Sequence, residues 1–385
     1  MIRQLIYLIN IIFLPLIGQS QIIPEITARV DTTETSVKEV YTCFKGYINS
    51  KPDSLYENPF WNKNESYTLV ENGMNCNRSV WTMFRGFNNS TDFYDVYHPK
   101  ILSIERIEIN RFLLRVIYNN CTEGYEKHNP VYITRLYAVK NKDGEFKLEN
   151  TLEYDTRNWR KIRYKFITYF VSPTSHFDKQ KAREGIKFCQ KAAKKFNIKK
   201  IQPFIFYITN DSEEMGRLFN FEYWLSYSTG ITNVPTREIF SAFGVASYPH
   251  EFVHMILSPL ITNYENTNML INEGVATWCA GPTLDETYDS ALESFSNEIR
   301  DNDTLTIDDI LTSKYRNKYD NNPLYLIGAV ICSMVYEKKG IEDVIKILNL
   351  TLNELRRELP IIMQKESWKQ VNSEIFEYIR NYNSH

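Results

Sequence analysis

The hydrophobic pattern changes its period partway along this chain of 385 residues. Between residues 101 and 154, short apolar runs rich in β-branched and aromatic residues are separated by Asn- and Gly-containing turns, which is typical of strands. From Tyr248 to the end of the chain, apolar residues recur instead at the spacing of helices. The length suits two domains, and we place their boundary between residues 158 and 159.

The first predicted domain, residues 21–158, starts with a helix and continues as an antiparallel meander. We expect the helix over residues 33–50, with turn-rich sequence following through Ser90. The residues with helical spacing are Val37, Val40, Tyr41, Phe44 and Ile48. The predicted strands are 101–109, 112–118, 131–139 and 145–154. This α+β order resembles the cone-shaped domains of the nuclear-transport-factor-2-like type, so we expect that fold, without an assigned role.

The second predicted domain, residues 159–385, mixes strands and helices before it becomes mostly helical. Its predicted elements are a strand over 164–171, a helix over 178–196, a strand over 202–208 and a short helix over 212–219. The fold class expected for the whole chain is therefore α+β.

Residues 1–20 have the composition of a secretory signal peptide. One arginine precedes an almost entirely apolar run over residues 5–17, and small residues occupy the −3 and −1 positions of a cut after Ser20. The run is shorter than the roughly 20 residues that cross a bilayer, although an uncleaved anchor is the alternative. We therefore predict an exported protein, secreted or periplasmic, without a membrane span after cleavage.

The charge balance argues against a nucleic-acid partner. The chain has 45 Lys and Arg residues and 47 Asp and Glu residues, with a net charge of −2. Such a balance does not neutralise phosphates in bulk. Peptides or proteins remain the favoured partner class.

The six cysteines do not form a metal-binding pattern, because no two of them have CxxC spacing. Cys76 and Cys121 lie in loop-like sequence and could pair in an oxidising compartment. Cys189 and Cys332 lie on apolar helix faces, which predicts buried thiols.

The residues His250-Glu251-Phe252-Val253-His254 form an HExxH arrangement. A proline directly before them suits the first turn of a helix. Two histidines four residues apart then share one helix face, where both imidazoles can bind one Zn²⁺. The glutamate between them can act on a water at the metal. Only six residues of the chain are histidines, which makes a chance match improbable.

Glu273 follows His254 after eighteen intervening residues. Asn268 is a suitable N-cap and Gly281-Pro282 a stop signal, so Glu273 is predicted to lie on a second helix. A helix–turn–helix of this length can bring its carboxylate to the third metal position. Three protein ligands would leave the fourth position open, as catalysis requires.

This spacing, with the segment Asn272-Glu273-Gly274, resembles the gluzincin metallopeptidases, the wider group of thermolysin and aminopeptidase N. The resemblance covers roughly residues 200–350. It implies a thermolysin-like fold, one Zn²⁺ held by His250, His254 and Glu273, and hydrolysis of peptide bonds with Glu251 as the general base.

A second match to the aminopeptidase branch is the segment Tyr325-x-x-Gly328. In that branch the tyrosine supports the tetrahedral intermediate, which implies a catalytic role for Tyr325; a plain core position is the alternative. Asn322 and Pro323 are the expected start of its helix. Thr277, one turn after Glu273, is either a group behind the metal ligands or a surface hydroxyl.

One departure from the aminopeptidase branch limits the expected activity. The Gly-x-Met-Glu-Asn segment that holds a free amino terminus is missing from the stretch 230–240. We therefore expect a peptidase that is not an aminopeptidase, with this stretch as an edge strand able to pair with a peptide. The alternative is a non-catalytic zinc-containing protein whose first domain captures a ligand or partner.

Overall fold

A computed structural model describes residues 21–120, 132–224, 228–262, 267–302, 304–312, 315 and 322–382. The fold is mixed α/β with two mixed sheets, which confirms the expected combination of strands and helices. The predicted signal peptide and Cys121 lie outside the described residues. Within those residues, no helix combines the length and the apolar character that a membrane crossing requires.

The chain divides into two compact units: the first ends at Asn150, and the second consists of the residues from Thr151 onward together with Asn72–Met74. The elements of the first unit are β1 (Glu25–Ile26), α1 (Thr35–Ile48), α2 (Lys63–Glu71), α3 (Val80–Met83), α4 (Ser90–Val96), β2 (Tyr97–Glu108), β3 (Arg111–Asn120), β4 (Tyr132–Lys140) and β5 (Phe146–Glu149). The strands pair in the order β1-β2-β3-β4-β5. The pairs from β2 to β5 are antiparallel, as expected for a meander, whereas β1 is parallel to β2.

Two predictions for this part of the chain are wrong. The sequence before Ser90 contains the helices α2 and α3; α2 was missed because only Ser66 and Leu69 of its nine residues are buried, so it lacks an apolar stripe. The predicted strand 145–154 ends at Glu149. Its continuation differs because the backbone N–H of Thr151 donates a hydrogen bond to Asn220 Oδ1 at 2.9 Å, far away in sequence.

The first part of the second unit mixes strands and helices, and its last part is helical. Its first elements are α5 (Leu152–Thr156), β6 (Arg160–Tyr164), β7 (Ile167–Val171), α6 (Lys179–Lys195), β8 (Phe204–Ile208), α7 (Ser212–Leu218), β9 (Phe221–Tyr223), β10 (Gly230–Asn233) and β11 (Glu238–Ser241). The predicted helices 178–196 and 212–219 are confirmed by α6 and α7, and the strand 202–208 by β8. The predicted strand 164–171 is confirmed over Ile167–Val171 by β7. Tyr164 instead ends β6, because Lys165 adopts the left-handed conformation, with φ of 57°, in the turn between the two strands.

A five-stranded sheet of the second unit has the order β10-β11-β8-β7-β6. The expected edge strand in the stretch 230–240 is confirmed, because β10 lies at one edge of this sheet. The long helix α6 covers one face of the sheet with its buried residues, which include Cys189.

The helical part of the unit consists of α8 (Pro249–Leu257), a 3₁₀ turn (Ser258–Leu260), α9 (Met269–Ala280), α10 (Tyr288–Ile299), α11 (Ile307–Leu311), α12 (Pro323–Lys339), α13 (Ile341–Leu348), α14 (Leu352–Met363) and α15 (Trp368–Arg380). These helices share one apolar core, and Cys332 is fully buried in it. The predictions of buried thiols at Cys189 and Cys332 are confirmed.

Helices α9 and α12 approach each other with their backbones in contact. A Cβ atom on Gly274 would lie 2.3 Å from the carbonyl carbon of Gly328, and a Cβ on Gly328 would lie 1.9 Å from the carbonyl oxygen of Leu270. The atoms that a Cβ would meet belong to the backbone, so no flexible side chain could move away to make room for it. Both positions therefore require glycine.

We expect Gly328→Ala to lower the free energy of unfolding by about 3 kcal/mol, because the added methyl group forces α9 and α12 apart. The measurement is urea denaturation at constant metal concentration. Glu337→Ala, on the exposed side of α12, is the matched control and should stay within about 0.5 kcal/mol of the wild type. Equal stability of the two variants would contradict the close helix contact.

Candidate metal centre

Helix α8 places the two histidines of the HExxH arrangement side by side. Pro249 occupies its first turn, as predicted. The Phe252 ring packs against the rings of Phe204 and Phe206 on the sheet, with centroids 5.8 and 5.3 Å away. Residues two positions before and after Phe252 then lie on the opposite face of the helix. The side chains of His250 and His254 accordingly lie on that face, with their ring centroids 5.1 Å apart.

Helix α9 brings Glu273 to the same point. Its N-cap is Asn268, whose side chain accepts a hydrogen bond from the backbone N–H of Leu270 at 3.0 Å. The Oε2 atom of Glu273 lies 3.2 Å from His250 Nε2 and 3.5 Å from His254 Nε2.

These three side chains could hold a metal ion. Their donor atoms all lie within 4.8 Å of one another. The side chains of His250, His254 and Glu273 are only 4%, 11% and 16% exposed, so the donors are largely shielded from solvent. The predicted ligands are thus brought together by the structure.

The backbone of Gly281 orients His250. The carbonyl oxygen of Gly281 lies 2.9 Å from His250 Nδ1. Because a carbonyl oxygen can only accept, Nδ1 carries a proton, and Nε2 faces the side chains of Glu273 and His254. Sequence reasoning identified Gly281 only as a helix stop, because the direction of a terminal carbonyl has no signal in the sequence.

The charges of the three groups depend on one another. Burial opposes the charged form of His254, but the Glu273 carboxylate outweighs burial and raises the pKa of His254 to about 9. Burial likewise opposes the charged form of Glu273, yet the charges and hydrogen bonds of His254 and His250 hold the pKa of that carboxyl well below its usual range. A metal ion at this point would replace the proton as the positive partner of Glu273.

Glu251 lies beside the three donors without belonging to them. Its carboxylate is buried, and Thr232 Oγ1 donates a hydrogen bond to Glu251 Oε2 at 2.6 Å. Thr232 lies on the edge strand β10, where a Cβ on Gly230 would lie 2.7 Å from the Glu251 carboxylate. Sequence reasoning missed Thr232, because its proximity to Glu251 depends on how β10 passes α8.

Tyr325 also lies at the centre. Its ring stacks on that of His250, with centroids 5.6 Å apart and an angle of 14° between the planes. Burial and the negative charge of Glu273 raise the pKa of the Tyr325 hydroxyl well above its usual value. Tyr325 is only partly buried, so it is not a plain core residue. Its helix begins after Asn322 as expected, but the Asn322 side chain makes no capping hydrogen bond.

Thr277 does not fit either of its expected roles. The side chain is fully buried, so the alternative of a surface hydroxyl is wrong. Its hydroxyl has no hydrogen-bond partner within the part of the chain that the structure describes. The group behind His250 is instead the Gly281 carbonyl.

We expect metal binding at pH 7 to release about one proton per ion, because the pKa of about 9 keeps His254 protonated in the metal-free protein. The apparent affinity for Zn²⁺ should then rise about tenfold per pH unit between pH 6 and 8. Calorimetry in buffers with different ionisation enthalpies measures the released proton. An affinity independent of pH over this range would contradict a protonated His254 in the metal-free protein.

The chain was compared with protein-family models and with curated proteins. No protein-family model matches the chain, and no curated protein matches it.

Proposed function

We propose that the protein is an exported zinc metallopeptidase that hydrolyses peptide bonds, with one Zn²⁺ per chain bound by His250, His254 and Glu273. The observation that carries this proposal is the placement of Glu251. A carboxylate beside three converging metal donors, and outside their set, is in position for proton transfer.

The donor set favours zinc over the hard divalent ions. Two imidazoles and one carboxylate are typical of catalytic zinc sites with an open fourth position. Calcium and magnesium prefer sets made only of oxygen ligands. When bound, Zn²⁺ supplies Lewis acidity, which makes water a stronger nucleophile and polarises a carbonyl group.

In the proposed reaction Glu251 is the general base. Its carboxylate accepts a proton from the water that attacks the peptide carbonyl carbon, and passes that proton to the amine nitrogen as the C–N bond breaks. Thr232 keeps this carboxylate in place. The Tyr325 hydroxyl donates a hydrogen bond to the carbonyl oxygen as it becomes negative.

The surroundings of the centre support a peptide substrate. The strand β10 lies at the sheet edge beside α8, where an extended peptide can add by main-chain hydrogen bonds. We propose a thermolysin-like fold for the second unit, supported by the packing of α8 next to this sheet and of α9 on α8. For the first unit we propose the nuclear-transport-factor-2-like type, supported by the helix α1 and the meander β2 to β5.

We expect Glu251→Gln to lower peptide cleavage on the order of 100- to 10,000-fold with zinc retained, because the amide cannot accept the proton. His254→Ala should instead lose the zinc. The measurements are zinc content by mass spectrometry and cleavage of a peptide library. Glu337→Gln, an exposed carboxylate on α12, is the control. A zinc-loaded wild type that cleaves no peptide would favour the non-catalytic binding protein.

We expect Thr232→Val to lower kcat about tenfold with little change in KM or zinc content, because it releases the Glu251 carboxylate without touching the metal ligands. The control is Thr236→Val in the turn between β10 and β11, where the hydroxyl donates to Glu238 at 2.5 Å rather than to Glu251. Equal kcat values for the two variants would argue against a positioning role for Thr232.

A further inference from the structure

A small cavity opens next to the metal donors. Its volume is about 240 Å³, and His250, Glu251 and Tyr325 form part of its wall. Sites for drug-sized molecules have volumes of roughly 300–1,000 Å³. The cavity is therefore of a size for one side chain or one terminal group of a substrate.

The charge of the cavity wall is negative. Glu286 lies in the wall together with Glu251, and no Lys or Arg belongs to it within the described residues. Glu251 already accepts the hydrogen bond of Thr232. The Glu286 carboxylate, by contrast, has neither a hydrogen bond nor an ion pair among the described residues. Burial raises the pKa of Glu286, and a cation beside it would favour the charged form.

The loop after α9 ties Glu286 to the metal centre. The carbonyl oxygen of Gly281 contacts His250 Nδ1 at 2.9 Å. A Cβ on Gly281 would lie 2.0 Å from the backbone oxygen of Glu286, and φ of Gly281 is +90°. The backbone of Glu286 thus packs tightly against Gly281, and Gly281 in turn contacts His250. These two contacts fix the position of Glu286 relative to the reacting atoms.

We propose that Glu286 binds a cationic group of the peptide substrate in this cavity, an ammonium or guanidinium group next to the scissile bond. This proposal rests on the proposed peptidase function. Glu286 is partly buried, and a neutral residue would not give its carboxylate the charge-assisted hydrogen bond that a cationic group gives, so the site would prefer the cation. A single charge-assisted hydrogen bond of this kind accounts for a preference on the order of 10- to 100-fold.

The first test measures cleavage by the zinc-loaded protein. Peptides are compared in pairs, with Arg against citrulline and Lys against norleucine at each position, and with a free against an acetylated amino terminus. We expect kcat/KM to be 10- to 100-fold higher for the cationic member, and Glu286→Gln to remove that difference. The position that responds separates a basic side chain from a terminal amine as the source of the cation.

The control is Asp285→Asn, because Asp285 is an exposed neighbour that does not line the cavity. It should keep the preference of the wild type. A preference that survives in Glu286→Gln, or a wild type that cleaves Arg and citrulline peptides equally, would overturn the proposal.

The second test needs no turnover. Fluorescence anisotropy measures binding of the same labelled Arg and citrulline peptides to the zinc-loaded Glu251→Gln protein, with and without Glu286→Gln. One outcome is that the Arg peptide binds more tightly, that this difference depends on Glu286, and that the wild type cleaves no peptide. This outcome would support the cation site and overturn the peptidase function. Equal binding of the two peptides would overturn the cation site even if the wild type cleaves peptides.

Discussion

The backbone contact between α9 and α12 at Gly274 and Gly328 determines the geometry of the candidate metal centre. Glu273 directly precedes Gly274, and Tyr325 lies one turn before Gly328 on α12. A side chain at either glycine would meet backbone atoms at 2.3 Å or less, so the two helices can only cross here without Cβ atoms. The same contact therefore brings the carboxylate and the tyrosine to the two histidines of α8.

The electrostatics of the centre follow from burial. Three ionisable side chains that are at most 16% exposed are stable only if their charges balance. In the metal-free protein His254 is protonated, and its positive charge balances the negative charge of Glu273. The charge of Glu251 also favours the charged form of His254, but the Glu251 carboxylate accepts its own hydrogen bond from Thr232. Two carboxylates in one centre thus have different hydrogen-bond partners, as the proposed roles of ligand and general base require.

The sequence correctly predicted the features that depend on contacts between residues close together in the chain. The four-residue spacing of His250 and His254, the proline before them and the cap at Asn268 act within one or two helical turns, and the structure has them as expected. The sequence did not predict α2, because few residues of this helix are buried. It also did not predict the end of β5, where Thr151 forms a hydrogen bond with the distant residue Asn220. It also missed Thr232, whose contact with Glu251 spans nineteen positions and two elements.

The sequence by itself determined which chemical groups the centre can contain and on which helices they lie, because helical periodicity converts spacing into a shared face. The tertiary structure alone decided how these groups meet. Only the packing of α8 on the sheet, of α9 on α12 and of the Gly281 loop on His250 fixes the donor distances, since each of these contacts joins residues far apart in the chain. The place of Glu286 in the cavity wall is of the same kind, because it depends on loop closure rather than on any spacing.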